Sequence, residues 1–253
     1  MSGHSKWATI KRKKAATDSA RGRLFTRLIK EIAIAARNGG GNAEGNPRLR
    51  LAIQTAKAAN MPADNIKRAI QRGTGELPGV TYEEVTYEGY AAGGVAVLVD
   101  VVTDNSNRTV SELRHVFSRN SGNLGAAGSV SWMFHRKGNI VILRSGQPVP
   151  LSEDDLLGII LDAGADDMQS DDDGFTVTTP PPAFEAVRKA IEDKGIKTEL
   201  AALQMIPQNT VKVAGREAEQ VLKLMEALEE HEDVQNVYAN FDIDEKEIAA
   251  LQG

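Results

Sequence analysis

Residues 139–206 have the sequence NIVILRSGQPVPLSEDDLLGIILDAGADDMQSDDDGFTVTTPPPAFEAVRKAIEDKGIKTELAALQMI. Short runs rich in β-branched residues alternate here with two stretches of helical periodicity, at residues 153–163 and 183–193. The predicted order is strand, helix, strand, turn, strand, helix, strand. This βαββαβ order is typical of a ferredoxin-like unit.

The sequences on either side of this segment predict a second α+β domain. Before it come two predicted strands, a helix and a further strand, at residues 82–90, 95–103, 108–117 and 129–135. After Pro207 come a short strand, a long helix and a closing strand at residues 234–241. The first block lacks enough strands to cover its own helices, so we expect the C-terminal block to return to it. Residues 137–206 are then an insertion in a discontinuous domain of residues 79–136 and 207–243.

Residues 1–78 predict a basic tail followed by a small helical domain. Apolar side chains recur at helical spacing from Leu24 to Ala36, and glycines at 39–41 end that helix. Asn46-Pro47 and Asn60-Met61-Pro62 are start signals for a second and a third helix. The predicted fold class is therefore α+β: an N-terminal three-helix domain followed by two α+β domains, one a ferredoxin-like insertion within the other.

Charge is distributed very unevenly along the chain. Residues 1–75 contain 16 Lys and Arg against 4 Asp and Glu, whereas the remainder contains 14 against 31, so the two parts carry +12 and −17. Clustered cations bind the phosphate backbone of nucleic acids by releasing condensed counterions, and this binding is independent of base sequence. The basic third therefore predicts a nucleic-acid partner.

Several functional classes are disfavoured by the composition. The chain has no cysteine, which excludes disulfides, thiolate metal sites and a cysteine nucleophile. The four histidines have no metal-ligand spacing, and no nucleotide fingerprint or nucleophile–base motif is present. No apolar run approaches the roughly 20 residues of a membrane span. We therefore expect a cytoplasmic protein that is not an enzyme and has no metal or cofactor.

The candidate nucleic-acid contacts fall into two groups. Those assigned to phosphate lie on the predicted tail, before the helix that begins at Leu24: Lys6, Lys11, Arg12, Lys13, Lys14, Arg21 and Arg23. Arg27, Lys30 and Arg50 are assigned to a secondary basic face. Trp7 has two interpretations, stacking on an exposed base or packing of the tail onto the helical domain.

Two later segments are candidates for a partner-binding loop. Asn105, Asn107 and Arg108 precede a predicted helix, where turn and cap residues are the favoured interpretation and an anion site at the helix N-terminus is the alternative. A glycine-rich loop leads into Ser129, Trp132, Met133 and Phe134. Packing is the default for its aromatic side chains, and contact with RNA or protein is the alternative.

Several motifs together resemble the YebC family, and the resemblance extends essentially from end to end. They are Gly3-His4-Ser5-Lys6-Trp7 with Lys11-Arg12-Lys13-Lys14, Asn46-Pro47-Arg48-Leu49-Arg50, Asn60-Met61-Pro62, Asn65-Ile66 with Arg68-Ala69-Ile70, Thr103-Asp104-Asn105 with Asn107-Arg108-Thr109, and Gly128-Ser129-Val130-Ser131-Trp132-Met133-Phe134. The resemblance implies three domains, with the last inserted in the middle one. It also implies a function in gene expression, since bacterial members are described as probable DNA-binding transcriptional regulators. Related mitochondrial proteins act as translational activators, and bacterial relatives have been linked to ribosomes and to translation of proline-rich stretches.

Two partners therefore stay open at the level of the sequence. A DNA-binding transcription regulator needs side chains that read base edges from a rigid frame. A ribosome-associated, RNA-binding translation factor needs phosphate contacts and an aromatic side chain for stacking, and the charge distribution favours it. A small-molecule sensor or enzyme built on the ferredoxin-like unit is the remote alternative. The sequence leaves the oligomeric state open, a monomer included.

Overall fold

The computed structural model describes residues 18–148 and 150–244, which fall into two compact units. One unit contains residues 18–130, Val213–Ala239 and Asp244, and the other contains Ser131–Lys212, apart from residue 149, with Asn240–Ile243. Each unit has its own hydrophobic core.

Three helices form the N-terminal part of the first unit. They are α1 (Asp18–Gly39), α2 (Pro47–Ala58) and α3 (Ala63–Thr74). Their apolar faces meet in a core that includes Ile32, Leu49 and Ile66. Gly73 of α3 lies so close to α1 that a Cβ atom there would be 2.3 Å from the carbonyl oxygen of Ala33. This close approach explains why the third helix carries a glycine.

A four-stranded antiparallel sheet completes the first unit. Its strands are β1 (Glu83–Tyr90), β2 (Ala96–Thr103), β3 (Asn123–Leu124) and β9 (Val234–Ala239), in the order β3-β1-β2-β9. β2 is buried along almost its whole length, as its continuous apolar sequence predicts for a central strand. Two helices, α4 (Ser106–Arg119) and α7 (Gly215–Glu230), contact each other and bury Leu113, Phe117 and Val221.

The second unit has the predicted βαββαβ order. Its elements are β4 (Phe134–Leu143), α5 (Glu153–Asp162), β5 (Asp167–Ser170), β6 (Gly174–Thr179), α6 (Phe184–Asp193) and β7 (Leu200–Pro207). The antiparallel sheet has the order β5-β6-β4-β7, which is the ferredoxin-like arrangement. Its core joins Ile140 and Phe175 of the sheet to Leu156 and Val187 of the helices. A short parallel pair, β8 (Val211–Lys212) and β10 (Phe241–Asp242), belongs to the same unit.

The predicted α+β fold class is confirmed, and several element boundaries differ from the sequence-based prediction, two of them with consequences for the argument. The strands predicted at residues 129–135 and 140–143 are one strand, β4, because residues 134–141 pair continuously with β7. α1 is described from Asp18 rather than Leu24, so Arg21 and Arg23 lie on a helix and not on the tail. Ala and Arg have high helix propensity, which allows a helix to extend beyond its apolar stripe. The division into domains at residues 78, 136 and 206 stays a prediction.

Candidate nucleic-acid interface

The predicted basic face of α1 lies against the acidic end of α7 and the residues that follow it. Lys30 is buried, and its Nζ donates to Asp233 Oδ1 at 2.5 Å and to the carbonyl oxygen of Glu232 at 3.0 Å. Arg23 reaches Glu230 at 3.4 Å. Burial lowers the pKa of Arg27, and the nearby Glu229 opposes that shift. This face therefore contributes to packing within the unit.

Asp233 is the centre of a buried polar network. Besides Lys30, its carboxylate accepts hydrogen bonds from Thr109 Oγ1 at 2.7 Å, Arg108 Nη2 at 2.9 Å and Thr103 Oγ1 at 3.2 Å. Burial alone would raise the pKa of Asp233, but the hydrogen bonds from Lys30, Thr109 and Arg108 outweigh it and lower the pKa to about 2. Asp233 is therefore ionised throughout the neutral range and neutralises two cations.

The same network accounts for the motif before α4. Asn105 caps that helix, since its Oδ1 accepts a hydrogen bond from the Arg108 amide at 3.1 Å. Arg108 also bonds Asp104 at 3.0 Å, and its hydrogen bond with Asp233 is the main cause of its raised pKa. Asn107 lies in the first turn of α4 and is exposed. The capping interpretation thus has direct structural support for Asn105.

Glu112, His231 and Asp233 lie close enough together to share a metal ion. Both ring nitrogens of His231 already have protein partners: Nε2 is 2.9 Å from Glu112 Oε2, and Nδ1 accepts the Asp233 amide hydrogen at 3.2 Å. Asp233 is in turn neutralised by Lys30 and Arg108. The cluster is therefore better explained as part of the polar network than as a metal site.

The exposed cations of α2 differ in how strongly they are engaged. Arg48 bonds the carboxylates of Glu31 and Glu84, and these hydrogen bonds raise its pKa. Arg50 is exposed and donates to the carbonyl oxygens of Ala43 and Glu44 at 3.2 and 3.1 Å. Arg50 therefore keeps its charge at the surface without a carboxylate partner in the described part of the chain.

The connection between α2 and α3 is a tight turn of four residues. α2 ends at Ala58 and α3 begins at Ala63. Asn60 has a positive φ of 59°, and the amides of Asn60 and Met61 donate back to the last turn of α2. Met61 is buried in the helical core. The Asn60-Met61-Pro62 motif thus ends one helix and starts the next, as in a helix-turn-helix connection.

The outward side of α3 carries a group of cations that the sequence-based assignment did not include. Projected at about 100° per residue, four polar side chains fall within an arc of roughly 140° that also contains Asp64. We call them the α3 surface: Lys67, Arg68, Gln71 and Arg72. The three cations are exposed, and in the described ranges none of them is paired with a carboxylate. Their i, i+1, i+4, i+5 spacing was the signal that could have identified them.

The glycine-rich loop is held by a buried glutamate of β1. Glu88 accepts hydrogen bonds from the Gly128 amide at 2.6 Å and the Val130 amide at 2.7 Å, and its carbonyl oxygen accepts from Gly125 at 2.8 Å. The carbonyl oxygen of Ser129 accepts from the Tyr90 hydroxyl at 3.0 Å. This part of the loop therefore has a fixed backbone.

The large apolar residues that follow the loop have different environments. Phe134 is buried at the start of β4, which agrees with packing. Met133 is partly buried, and its carbonyl oxygen accepts from the Gln208 amide at 2.8 Å. Trp132 is 65% exposed, so most of its ring is accessible to solvent. Lys6, Trp7, Lys11, Arg12, Lys13 and Lys14 lie outside the described residues.

Two family models cover almost the whole chain. The model of the TACO1/YebC protein N-terminal domain matches residues 5–76, and the model of the TACO1/YebC second and third domain matches residues 82–241. The chain belongs to the TACO1/YebC family.

The relatives of this TACO1/YebC family member agree in length as well as in sequence. A protein from Koribacter versatilis is 56% identical over 253 residues, and the alignment covers 100% of both chains. A protein from Chlorobaculum tepidum is 57% identical over 253 residues, which are 100% of this chain and 99% of the relative. Both are named "Probable transcriptional regulatory protein". The crystal structure of a conserved hypothetical protein from Aquifex aeolicus matches with a TM-score of 0.79 and 49% identity, covering 90% of this chain and 93% of that one.

The cations of this TACO1/YebC family member thus divide into an internal and an external set. Arg23, Arg27 and Lys30 face the acidic end of α7, whereas the α3 surface faces outward. Arg21 is exposed, with its guanidinium carbon 5.7 Å from the centre of the Phe25 ring. None of the helices in the described ranges is long and apolar enough to cross a membrane.

Proposed function

We propose that this protein is a nucleic-acid-binding regulator of gene expression, which binds the phosphate backbone through its basic N-terminal third. The observation that carries the proposal is the α3 surface. Lys67, Arg68 and Arg72 expose their charges on one side of one helix without carboxylate partners in the described part of the chain. Lys30 and Arg48, in contrast, are paired with carboxylates of the same unit.

The charge balance of the whole chain supports an orienting role for this surface. Residues 1–75 carry +12 and the remainder −17, so a polyanion is attracted by one end and repelled by the rest. The α3 surface adds described, exposed cations to those of the tail. Together they favour docking of a nucleic acid on the N-terminal third. The proposal describes a cytoplasmic protein that carries out no catalytic step.

Binding to DNA is the first candidate. α2, its four-residue turn and α3 have the spacing of a helix-turn-helix, in which the second helix enters the major groove. Arg68 and Gln71 are side chains of the types that read guanine and adenine edges. The relatives' name, probable transcriptional regulatory protein, favours the same interpretation.

Binding to ribosomal RNA by a translation factor is the second candidate. Trp132 is 65% exposed, and Trp7 lies among the cations of the tail. Exposed aromatic rings stack on unpaired bases, which are more common in folded RNA than in duplex DNA. Phosphate contacts position a protein without reading sequence, which suits a ribosomal partner.

Equilibrium binding across a range of salt concentrations tests the proposal. The full-length protein is titrated with a DNA duplex and with a structured RNA of similar length. The double substitution Lys67→Gln/Arg68→Gln is expected to weaken binding and to reduce the salt slope by about two. A matched control, Lys189→Gln/Lys194→Gln, removes two exposed charges from the other unit and is expected to leave the slope unchanged. Equal affinities and salt slopes for the two double variants, or no binding by the wild type, contradict the proposal. The nucleic acid that the wild type binds with the higher affinity, DNA or RNA, decides between the two candidates.

A further inference from the structure

A small pocket opens at the C-terminal end of α3. Its volume is about 210 Å³, and it lies between α1, the end of α3 and residues 80–82. The side chains that matter for its chemistry are Arg37, Arg72, Thr74, Val80, Thr81 and Tyr82. Its floor is apolar, since Ala33 and Ile34 are buried there. The pocket therefore combines two guanidinium groups with an apolar base.

The side-chain charges of this pocket favour an anion, and they act against the negative end of the α3 helix dipole. Among the described residues, no carboxylate belongs to the lining, whereas Arg37 and Arg72 both do. Of two acidic groups near the pocket, Asp104 is paired with Arg108 at 3.0 Å, and Glu76 accepts a hydrogen bond at 3.1 Å from the hydroxyl of Thr74, a lining residue. Burial raises the pKa of Tyr82, so its phenol stays neutral and adds no negative charge.

The geometry also holds one guanidinium in place before any ligand arrives. Arg37 Nη1 donates to the carbonyl oxygen of Tyr82 at 2.6 Å, which uses one of its five N–H donors. The stem of Arg72 runs beside Gly79, where a Cβ atom would be 3.4 Å from Arg72 Cγ. Two arginines at one small pocket suit phosphate, because guanidinium forks match phosphate oxygens.

We propose that this pocket binds a phosphate group of the nucleic acid that docks on the α3 surface, an inference that rests on the proposed function. Arg72 belongs both to the pocket and to the α3 surface, so a strand bound along that surface reaches the pocket. The volume of the pocket is about 210 Å³. That volume suits a phosphate with its sugar, and it is smaller than the roughly 300 Å³ or more of pockets for larger ligands.

Amide NMR spectra of the full-length protein, titrated with inorganic phosphate and with 5′-AMP, test this inference. Saturable shifts are expected at Gly73, Gly75 and Thr81, which line the pocket. Arg72→Gln is expected to weaken 5′-AMP binding about tenfold, because a hydrogen-bonded charge pair is lost. Val80→Glu places a negative charge at the exposed rim of the pocket. It is also expected to weaken 5′-AMP binding about tenfold, without disturbing the core.

The matched control is Lys57→Gln, which removes one exposed charge of α2 that belongs neither to the pocket nor to the α3 surface. Its 5′-AMP affinity is expected to stay within twofold of the wild type. Shifts that do not saturate, or equal losses in Arg72→Gln and Lys57→Gln, overturn the inference. Binding of 5′-AMP without any binding of RNA or DNA identifies a free nucleotide as the ligand and contradicts the proposed function. Binding of RNA or DNA without pocket shifts leaves that function standing and rejects the pocket.

Discussion

The buried carboxylate of Asp233 is expected to be a main contributor to the stability of the first unit. Its side chain is 1% exposed and that of Lys30 is 8% exposed, with 2.5 Å between Oδ1 and Nζ. Asp233→Asn leaves the Lys30 ammonium buried without an opposite charge. It also removes the charged acceptor of Arg108 and Thr109. Breaking one side of such a pair costs about 3–5 kcal/mol, so we expect a loss of that size in the free energy of unfolding at pH 7.

The pH dependence of this effect follows from the lowered pKa of Asp233. Its value falls from 3.8 to about 2 in the folded protein, which corresponds to about 2 kcal/mol of stabilisation. A lowered pKa stabilises the fold above the pKa of the unfolded state, and this stabilisation is lost as the pH falls towards 2. The difference between wild type and Asp233→Asn is therefore expected to be largest above pH 5 and to shrink by about 2 kcal/mol at pH 2.

Urea denaturation between pH 2 and 7 measures this difference, with two further variants for comparison. Lys30→Met is expected to cost less than Asp233→Asn, because Asp233 keeps its bonds from Arg108 and the threonines. Glu230→Gln removes a carboxylate that is 60% exposed from its pair with Arg23, and it is expected to cost less than about 1 kcal/mol. A loss below 1 kcal/mol for Asp233→Asn, or a difference that does not change with pH, would refute the reasoning.

Three further predictions concern the fold. Gly73→Ala is expected to lower the free energy of unfolding by at least about 2 kcal/mol, because the new Cβ meets the Ala33 carbonyl oxygen. Gly22→Ala, with open space around it among the described residues, is expected to raise that free energy by up to about 1 kcal/mol. Urea denaturation measures both variants, and equal effects contradict the close packing at Gly73. Glu88→Gln is expected to speed hydrogen exchange of the two loop amides that its carboxylate accepts, while the exposed control Glu83→Gln leaves them unchanged; equal rates in the two variants contradict that role. A fragment of residues 131–209 is expected to unfold cooperatively at a higher urea concentration than a fragment of residues 137–206, which loses three pairings of β4 with β7, and equal midpoints contradict this.

Most helices and strands could be predicted because their signals are local. The continuous apolar run of β2, the capping residue Asn46 and the βαββαβ order each depend on neighbouring residues. β4 was divided in the prediction because its middle, His135-Arg136-Lys137-Gly138, is polar. The pairing with β7 that makes it continuous is a long-range property.

The candidate site was harder to predict because a basic helix face in the sequence can be exposed to solvent or can pack against another part of the chain. Lys30 lies on a basic helical face, but its partner, the carboxylate of Asp233, is 203 residues away in the sequence. Nothing in the local sequence of α1 distinguishes a face that meets nucleic acid from one that meets α7. The α3 surface had a local signal, the spacing of Lys67, Arg68, Gln71 and Arg72, and only the structure shows that its cations are exposed.

Crosslinking in cells, followed by sequencing of the attached nucleic acid, tests the central claim that the N-terminal third binds nucleic acid through the α3 surface. The wild type and Lys189→Gln/Lys194→Gln are expected to recover similar amounts, and Lys67→Gln/Arg68→Gln several-fold less. Promoter DNA among the sequences identifies a transcription regulator, and ribosomal RNA at one location identifies a translation factor. Equal recovery by the two double variants, or no nucleic acid above background with the wild type, contradicts the claim.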